Sequence, residues 1–345
     1  MARNCARQDR RHPEDLMTQM TGSGLQIRER FVGQRCFKRV SRARRIRSRL
    51  GTGAYLRYVH GMTEIDQFES VFKAADKTPF AYESVAIGTV LIVTDVDATR
   101  TRELGESAAE FLRVLGTDVR WKFVGGDDFS GVSNLLEEVE SHRPDLICTY
   151  RNLRIPAVDF PHSLGVYVDV LTQATTTPVL LLPHVDLADS KLRLQRGTQS
   201  VMAITDHLTG DQHLVSYAAK LTGQEGNLWL THVEDEAVFE RYMATISKIA
   251  SIDTDTAREE IRHQLLKEPL DYIRSCREVL AQLEKSIEIQ ESVTLGHHLT
   301  DYRRLVEEHN IDLLVMNTKD EDQLAMHGIA YPLSVELRDL PLLLL

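Results

Sequence analysis

Val85-Ala-Ile-Gly-Thr-Val-Leu-Ile-Val-Thr94 is a near-continuous apolar, β-branched run that stops at Asp95-Val-Asp97. Successive strand residues point to opposite faces of a sheet, so a run that is apolar throughout belongs to a strand covered on both faces, as in a parallel sheet. Leu104, Ala108, Phe111, Leu112 and Leu115 follow at helical spacing, and Gly116 ends them. Strand patterns recur at 118–124, 145–150 and 178–182, with helical patterns around Val132–Val139 and Gly165–Gln173. At Ser200 the same grammar restarts. Ser200–Thr205 reads as a strand ending at Asp206, 213–221 as a helix, and 227–233, 292–295 and 311–316 as strands. A helix at 331–337 and a closing strand at 341–345 complete the repeat. Strands alternating with helices of this length predict parallel sheets joined by right-handed crossovers. The expected fold class is α/β, two tandem open parallel-sheet domains over 85–184 and 199–345, divided by the polar stretch 184–197.

The second domain carries a helical insertion, 236–288. Val238, Tyr242, Ile246 and Ile249 share one helical face, and Thr256-x-x-Glu259 reads as a capping box. Ile261, Leu265, Ile273, Leu280, Leu283 and Ile287 continue the helical pattern, which Pro269 is expected to kink or divide.

Charge divides the 345-residue chain differently. Residues 1–61 hold 15 basic and 4 acidic residues, a net of +11, whereas the remainder holds 26 against 47, a net of −21. The densest basic stretch, Arg35 to Arg49, has few apolar groups to offset the entropy of ordering, so 1–61 is expected to be a disordered basic arm. Each arginine could neutralise a phosphate, which makes nucleic acid a candidate partner for this arm. Met62 opens a stretch with the look of an ordinary globular start, leaving Met1 or Met62 as the native beginning. No apolar run approaches the roughly 18 residues that span a bilayer, so no membrane association is expected. Cys5, Cys36, Cys148 and Cys276 lie far apart with no C-x-x-C pair, which points to a reducing cytoplasm and away from a cysteine zinc site.

Candidate site residues gather where strands end, since ligands of open α/β sheets bind beyond the carboxyl ends of strands. In the first domain these are Asp95, Tyr150 and Gly165; in the second, Asp206, His232, Asn317 and Gly328. Asp95 and Asp206 could instead cap the following helix. His207, His297 and His298 are candidate metal ligands or acid–base groups on the second rim, although no metal is expected and no catalytic residue is assigned. Cys148 and Cys276 read as core residues, and no P-loop, G-x-S-x-G, H-E-x-x-H or EF-hand motif occurs.

These residues together resemble the universal stress protein (UspA-like) family, as a tandem of two such domains. The resemblance is carried by Val201-Met-Ala-Ile-Thr-Asp206, Leu228-Trp-Leu-Thr-His-Val233, Asp312-Leu-Leu-Val-Met316 and Gly328–Leu345 in the second half. In the first half it is carried by Leu91–Asp95, Asp145–Thr149 and Leu164–Pro183. It implies an adenine-nucleotide alpha-hydrolase-like sheet, a first domain shortened by one strand–helix step, and pairing of the two domains through 178–182 and 341–345, with a homodimer as a further option. It also implies a cytoplasmic, stress-response or regulatory role by binding, with no turnover. ATP-binding members place a G-x-x-G loop after the fourth strand, followed nine residues later by Gly-Ser/Thr. Here the two loop glycines fall on Asn152 and Ile155, and Gly165 is followed by Val166; in the second half Gly328 is followed by Ile329, and Asp320, Glu321 and Asp322 occupy the loop. Glycines let backbone N–H groups approach phosphate, and a helix N-terminus favours the charge, so their loss disfavours ATP and leaves no cofactor expected. The competing readings are a nucleotide- or metal-dependent enzyme using the second domain's histidines, and a nucleic-acid-associated protein using the arm.

Overall fold

The computed structural model describes residues 79–155, 160, 162–183, 194–204, 208, 210–283, 286–318 and 329–345. The first half supplies β1 (Thr89–Val93), α1 (Ala98–Phe111), β2 (Arg120–Val124), α2 (Val132–His142), β3 (Leu146–Tyr150), α3 (Val166–Ala174) and β4 (Val179–Leu182). The second supplies β5 (Ser200–Ile204), α4 (Gln212–Leu221), β6 (Gly226–Asp235), α5 (Glu236–Ile246), α6 (Thr254–Leu280), β7 (Ile287–Gly296), α7 (His298–Glu308), β8 (Leu313–Met316), α8 (Ala330–Glu336) and β9 (Leu342–Leu344). β1 and β3 are buried at every position, as their unbroken apolar runs require.

Among the described residues, nine strands form one sheet in the order β2-β1-β3-β4-β9-β8-β5-β6-β7. Every pairing is parallel except β4 with β9, where Val179, Leu180 and Leu181 face Leu344, Leu343 and Leu342. The two halves therefore meet at an antiparallel seam of five leucines and Val179, all buried from solvent, and each half covers an edge the other would leave open. Because the seam reverses strand direction, the carboxyl ends of β1–β4 and those of β5–β9 lie on opposite edges of the sheet. Read outward from the seam, the first half runs β4-β3-β1-β2 and the second β9-β8-β5-β6-β7. Among the described residues, the first half has no counterpart of β7. Its outer strand, β2, holds Lys122 against the His142 carbonyl at 2.9 Å.

Four local readings change. Residues 79–88 carry no regular structure, and the first strand begins only at Thr89. β7 starts at Ile287, five residues before the expected strand, and its ten residues pair one-to-one with β6. Ile287-Glu-Ile289 has the two-residue period of a strand, which the preceding helical run obscured. α6 is one 27-residue helix with Pro269 inside it. Its N-cap is Asp253, whose side chain accepts from the Thr256 N–H at 2.8 Å, so Thr256 lies inside the first turn and is not the cap. Finally, the buried face of α5 is Phe239 and Met243, with Ile246 packed beside them, whereas Tyr242 is 60% exposed. With Ala257, Ile261, Leu265 and Leu295 these residues make a small second core; the C-terminal half of α6 (Tyr272, Ile273, Cys276, Leu280) joins the main one.

Candidate functional site

Asp95 stands two residues beyond β1, and Tyr150 ends the neighbouring β3, at the point where chain connections leave the first half of the sheet in opposite directions. The structure brings them into direct contact. The Tyr150 hydroxyl donates to Asp95 Oδ1, and the Asp95 backbone N–H donates to the same hydroxyl at 3.3 Å. The other carboxylate oxygen accepts the Arg154 backbone N–H at 2.5 Å. Asp95 therefore binds the segment that follows β3 and does not cap α1. Capping falls to Asp97, which accepts from Thr99 and Arg100 N–H at 2.9 and 3.1 Å. Two carboxylates spaced i, i+2 both suit the cap by residue type, so sequence alone could not separate their roles.

The segment 151–155 then folds back on the rim. Asn152 and Arg154 adopt positive φ, 58° and 60°. Asn152 thus holds a left-handed position that glycine would favour, where asparagine is the commonest substitute. The Arg154 guanidinium donates to the Gly126 and Phe129 carbonyls and lies over the Phe129 ring, 4.6 Å from its centroid. A side chain from the loop after β3 thereby reaches across to the loop after β2. Arg151, 5% exposed, points the other way and donates to the carbonyls of Ser334 and, at 2.8 Å, Leu337. It closes the C-terminal end of α8, where unpaired carbonyls concentrate negative charge. Burial holds its guanidinium down to about 10, with Arg338 pushing the same way and Asp339 opposing, so it stays charged at neutral pH.

Gly165 precedes α3 at φ 88°, and a Cβ there would sit 2.9 Å from the Asn152 Cα. Its glycine is required by the fold as much as by any ligand. Gly165→Ala is expected to destabilise the protein by about 2 kcal/mol or more, the left-handed penalty plus a backbone clash, measured by urea unfolding.

On the second rim, Asn317 donates to Asp211 at 2.5 Å, and Asp211 also caps α4 by accepting the Leu214 N–H at 3.0 Å. Burial raises the Asp211 carboxyl above its ordinary range, although these hydrogen bonds and His213 oppose the shift. His232 is 5% exposed; Nε2 meets Glu234 at 3.2 Å, and Nδ1 has no partner among the described residues. His297 and His298 stand at the start of α7, close enough to Asp235 to help hold its carboxyl below the usual range, behind the larger effect of the N–H groups it caps. Among the described residues, no three His, Cys, Asp or Glu side chains could hold a metal ion. Asp206, His207, Gly328 and the basic arm lie outside the described residues. Cys148 and Cys276 are fully buried, the latter thiol pushed up to about 12 by burial, which suits core packing better than nucleophilic chemistry.

Arg151, Arg154 and Asp211 were not singled out from sequence. Asp211 has a detectable signal, an aspartate at the start of an amphipathic helix; the arginines have none, since their partners lie 25 to 186 residues away.

No family model and no curated protein matches the chain. Similar solved structures include a putative universal stress protein from Pseudomonas aeruginosa UCBPP-PA14, at 13% identity over 75% of this chain and 93% of that one, TM-score 0.44. A universal stress protein from Archaeoglobus fulgidus DSM 4304 matches at 13% identity over 74% and 95%, TM-score 0.40. Over about three quarters of its length the chain is similar in structure to universal stress proteins, while its own strand order and pairing carry the α/β assignment.

Proposed function

We propose that the chain is a regulatory protein of the universal-stress type that acts by binding and not by turnover, and that its first rim does not take ATP. The observation that supports this is the internal use of the rim's polar groups. Asp95 is engaged by Tyr150 and the Arg154 N–H, and the Arg154 guanidinium spans the Gly126 and Phe129 carbonyls. A triphosphate seated there would have to displace a charge-assisted contact at each of these points, without the glycine backbone that lets N–H groups close on phosphate. The second rim brings a half-buried carboxylate, Asp211, to the start of α4, which repels anions at the place where a helix N-terminus would otherwise attract them.

The test is thermal unfolding of the full chain with ATP and Mg²⁺. No shift in Tm is expected up to millimolar nucleotide. A ligand present at 100 times its Kd would stabilise the protein by about 2.7 kcal/mol, so a shift of several degrees overturns the reading.

A further inference from the structure

The two halves repeat one register. Asp145 Oδ2 accepts the Thr89 N–H at 2.8 Å at the start of β1, and Asp312 Oδ2 accepts the Ser200 N–H at 2.9 Å at the start of β5. Thr89 pairs with Arg120 on β2 and Ser200 with Asn227 on β6, so Trp121 and Phe123 of β2 correspond to Leu228 and Leu230 of β6. Leu228 and Leu230 are 0% exposed, with β7 laid along their strand. Phe123 is 38% exposed and Trp121 is half-buried. Among the described residues nothing pairs with the outer edge of β2, so two aromatic side chains stand where the second half has a covered strand. The backbone is open there too. The Arg120 N–H donates to the Gly88 carbonyl and the Val124 carbonyl accepts from Thr94, both towards the β1 side. Alternation along the strand therefore turns the N–H and C=O groups of Trp121 and Phe123 to the open edge.

The other end of the sheet is guarded by charge. Arg277 donates to the Ile289 carbonyl of β7 at 3.3 Å and meets Glu291 at 3.2 Å, and Glu288 beside them is exposed. On β2 the charges are drawn inward. Arg120 donates to Thr89 Oγ1 at 3.1 Å, and Lys122 donates to the carbonyl of His142, the last residue of α2, at 2.9 Å. Phe123 rests on α1, where Gly105 leaves no room for a Cβ beside its ring, and the Arg102 guanidinium lies 5.9 Å from the ring centroid. We propose that the outer edge of β2 is a dimer interface, at which a second copy of this chain adds its own β2 antiparallel across a two-fold axis. Pairing centred on Lys122 sets Trp121 against Phe123 of the second copy, twice, and gives the outward amides of both residues partners. The edge is thus complementary to itself, and the sheet runs unbroken through both chains. The two Lys122 side chains meet at the axis without a clash of charge, because each ammonium is held at the end of its own α2. The chain joins its own halves by the same antiparallel edge pairing at β4 and β9. Five residues of β2 make a modest interface, so the dimer is expected to dissociate in the micromolar range.

Sedimentation equilibrium on the full chain at micromolar concentrations tests this, and a species of two chains is expected. Phe123→Glu sets a carboxylate against an aromatic ring at both ends of the pairing and is expected to weaken the dimer at least about tenfold. Because Phe123 also packs on α1, a circular dichroism melt checks that this variant is folded, and a second variant reads the register directly. In Lys122→Cys the introduced thiols face each other across the axis at a position without hydrogen bonds, within disulfide reach. Mild oxidation is expected to link two chains at least about tenfold faster than in wild type or in Thr294→Cys on β7, since the native Cys148 and Cys276 are buried. A wild-type chain that sediments as one chain overturns the proposal. So does a dimer that folded Phe123→Glu leaves unweakened, or one in which Lys122→Cys links no faster than the two controls.

Discussion

Leu343→Asp is expected to abolish stable folding at neutral pH. Leu343 is fully buried at the centre of the seam, opposite Leu180. Truncating a buried leucine costs about 2–5 kcal/mol, and burying an unpaired carboxylate adds more, so the total exceeds about 5 kcal/mol and rivals the whole stability of an ordinary domain. Circular dichroism melts would show the loss. The effect has a pH signature. The introduced carboxyl is cheaper to bury when protonated, so its folded-state pKa is raised and the folded protein binds the extra proton. Stability of the variant therefore falls as pH rises and partly returns on acidification. The matching exposed control is Tyr242→Ser, on the outer face of α5, expected to change stability by less than about 0.5 kcal/mol. If Leu343→Asp melts like wild type, the antiparallel seam is not what joins the two halves.

Arg151→Ala is the second large effect, a loss of about 3 kcal/mol or more. The substitution removes two charge-assisted hydrogen bonds and leaves the Ser334 and Leu337 carbonyls in a space closed to water. Arg151→Lys should recover only part of this, because a single ammonium cannot reproduce the planar fork that reaches two carbonyls 3 residues apart. Urea unfolding measures both. The expected order is wild type, lysine, alanine, and equal stability of wild type and alanine would remove Arg151 as a clamp between the loop after β3 and the end of α8. The clamp also bears on the first rim. Arg151 and Arg154 belong to one short segment, the former anchored in the second half and the latter laid across the Gly126 and Phe129 carbonyls. Disturbing one end of that segment should loosen the other.

Leu91–Val93 and Leu313–Met316 were legible as buried strands because a strand covered on both faces must be apolar at every position, a local requirement. The restart at Ser200 was legible for the same reason, and the order of strands and helices along the chain led to a parallel α/β sheet. The roles of Asp95 and Asp97 were not legible: both are carboxylates after a strand, and only the arrival of Tyr150 from 55 residues away assigns the first to the loop and leaves the second to the helix. Nothing local marks Arg151 and Arg154, because the carbonyls they meet are brought in front of them only by the fold. Local propensity and periodicity decided which segments became strands and helices. Which side chains meet at the rims and the seam was decided by packing over long sequence separations, where the free energy depends on the geometry of both partners and neither partner's residue type announces the other.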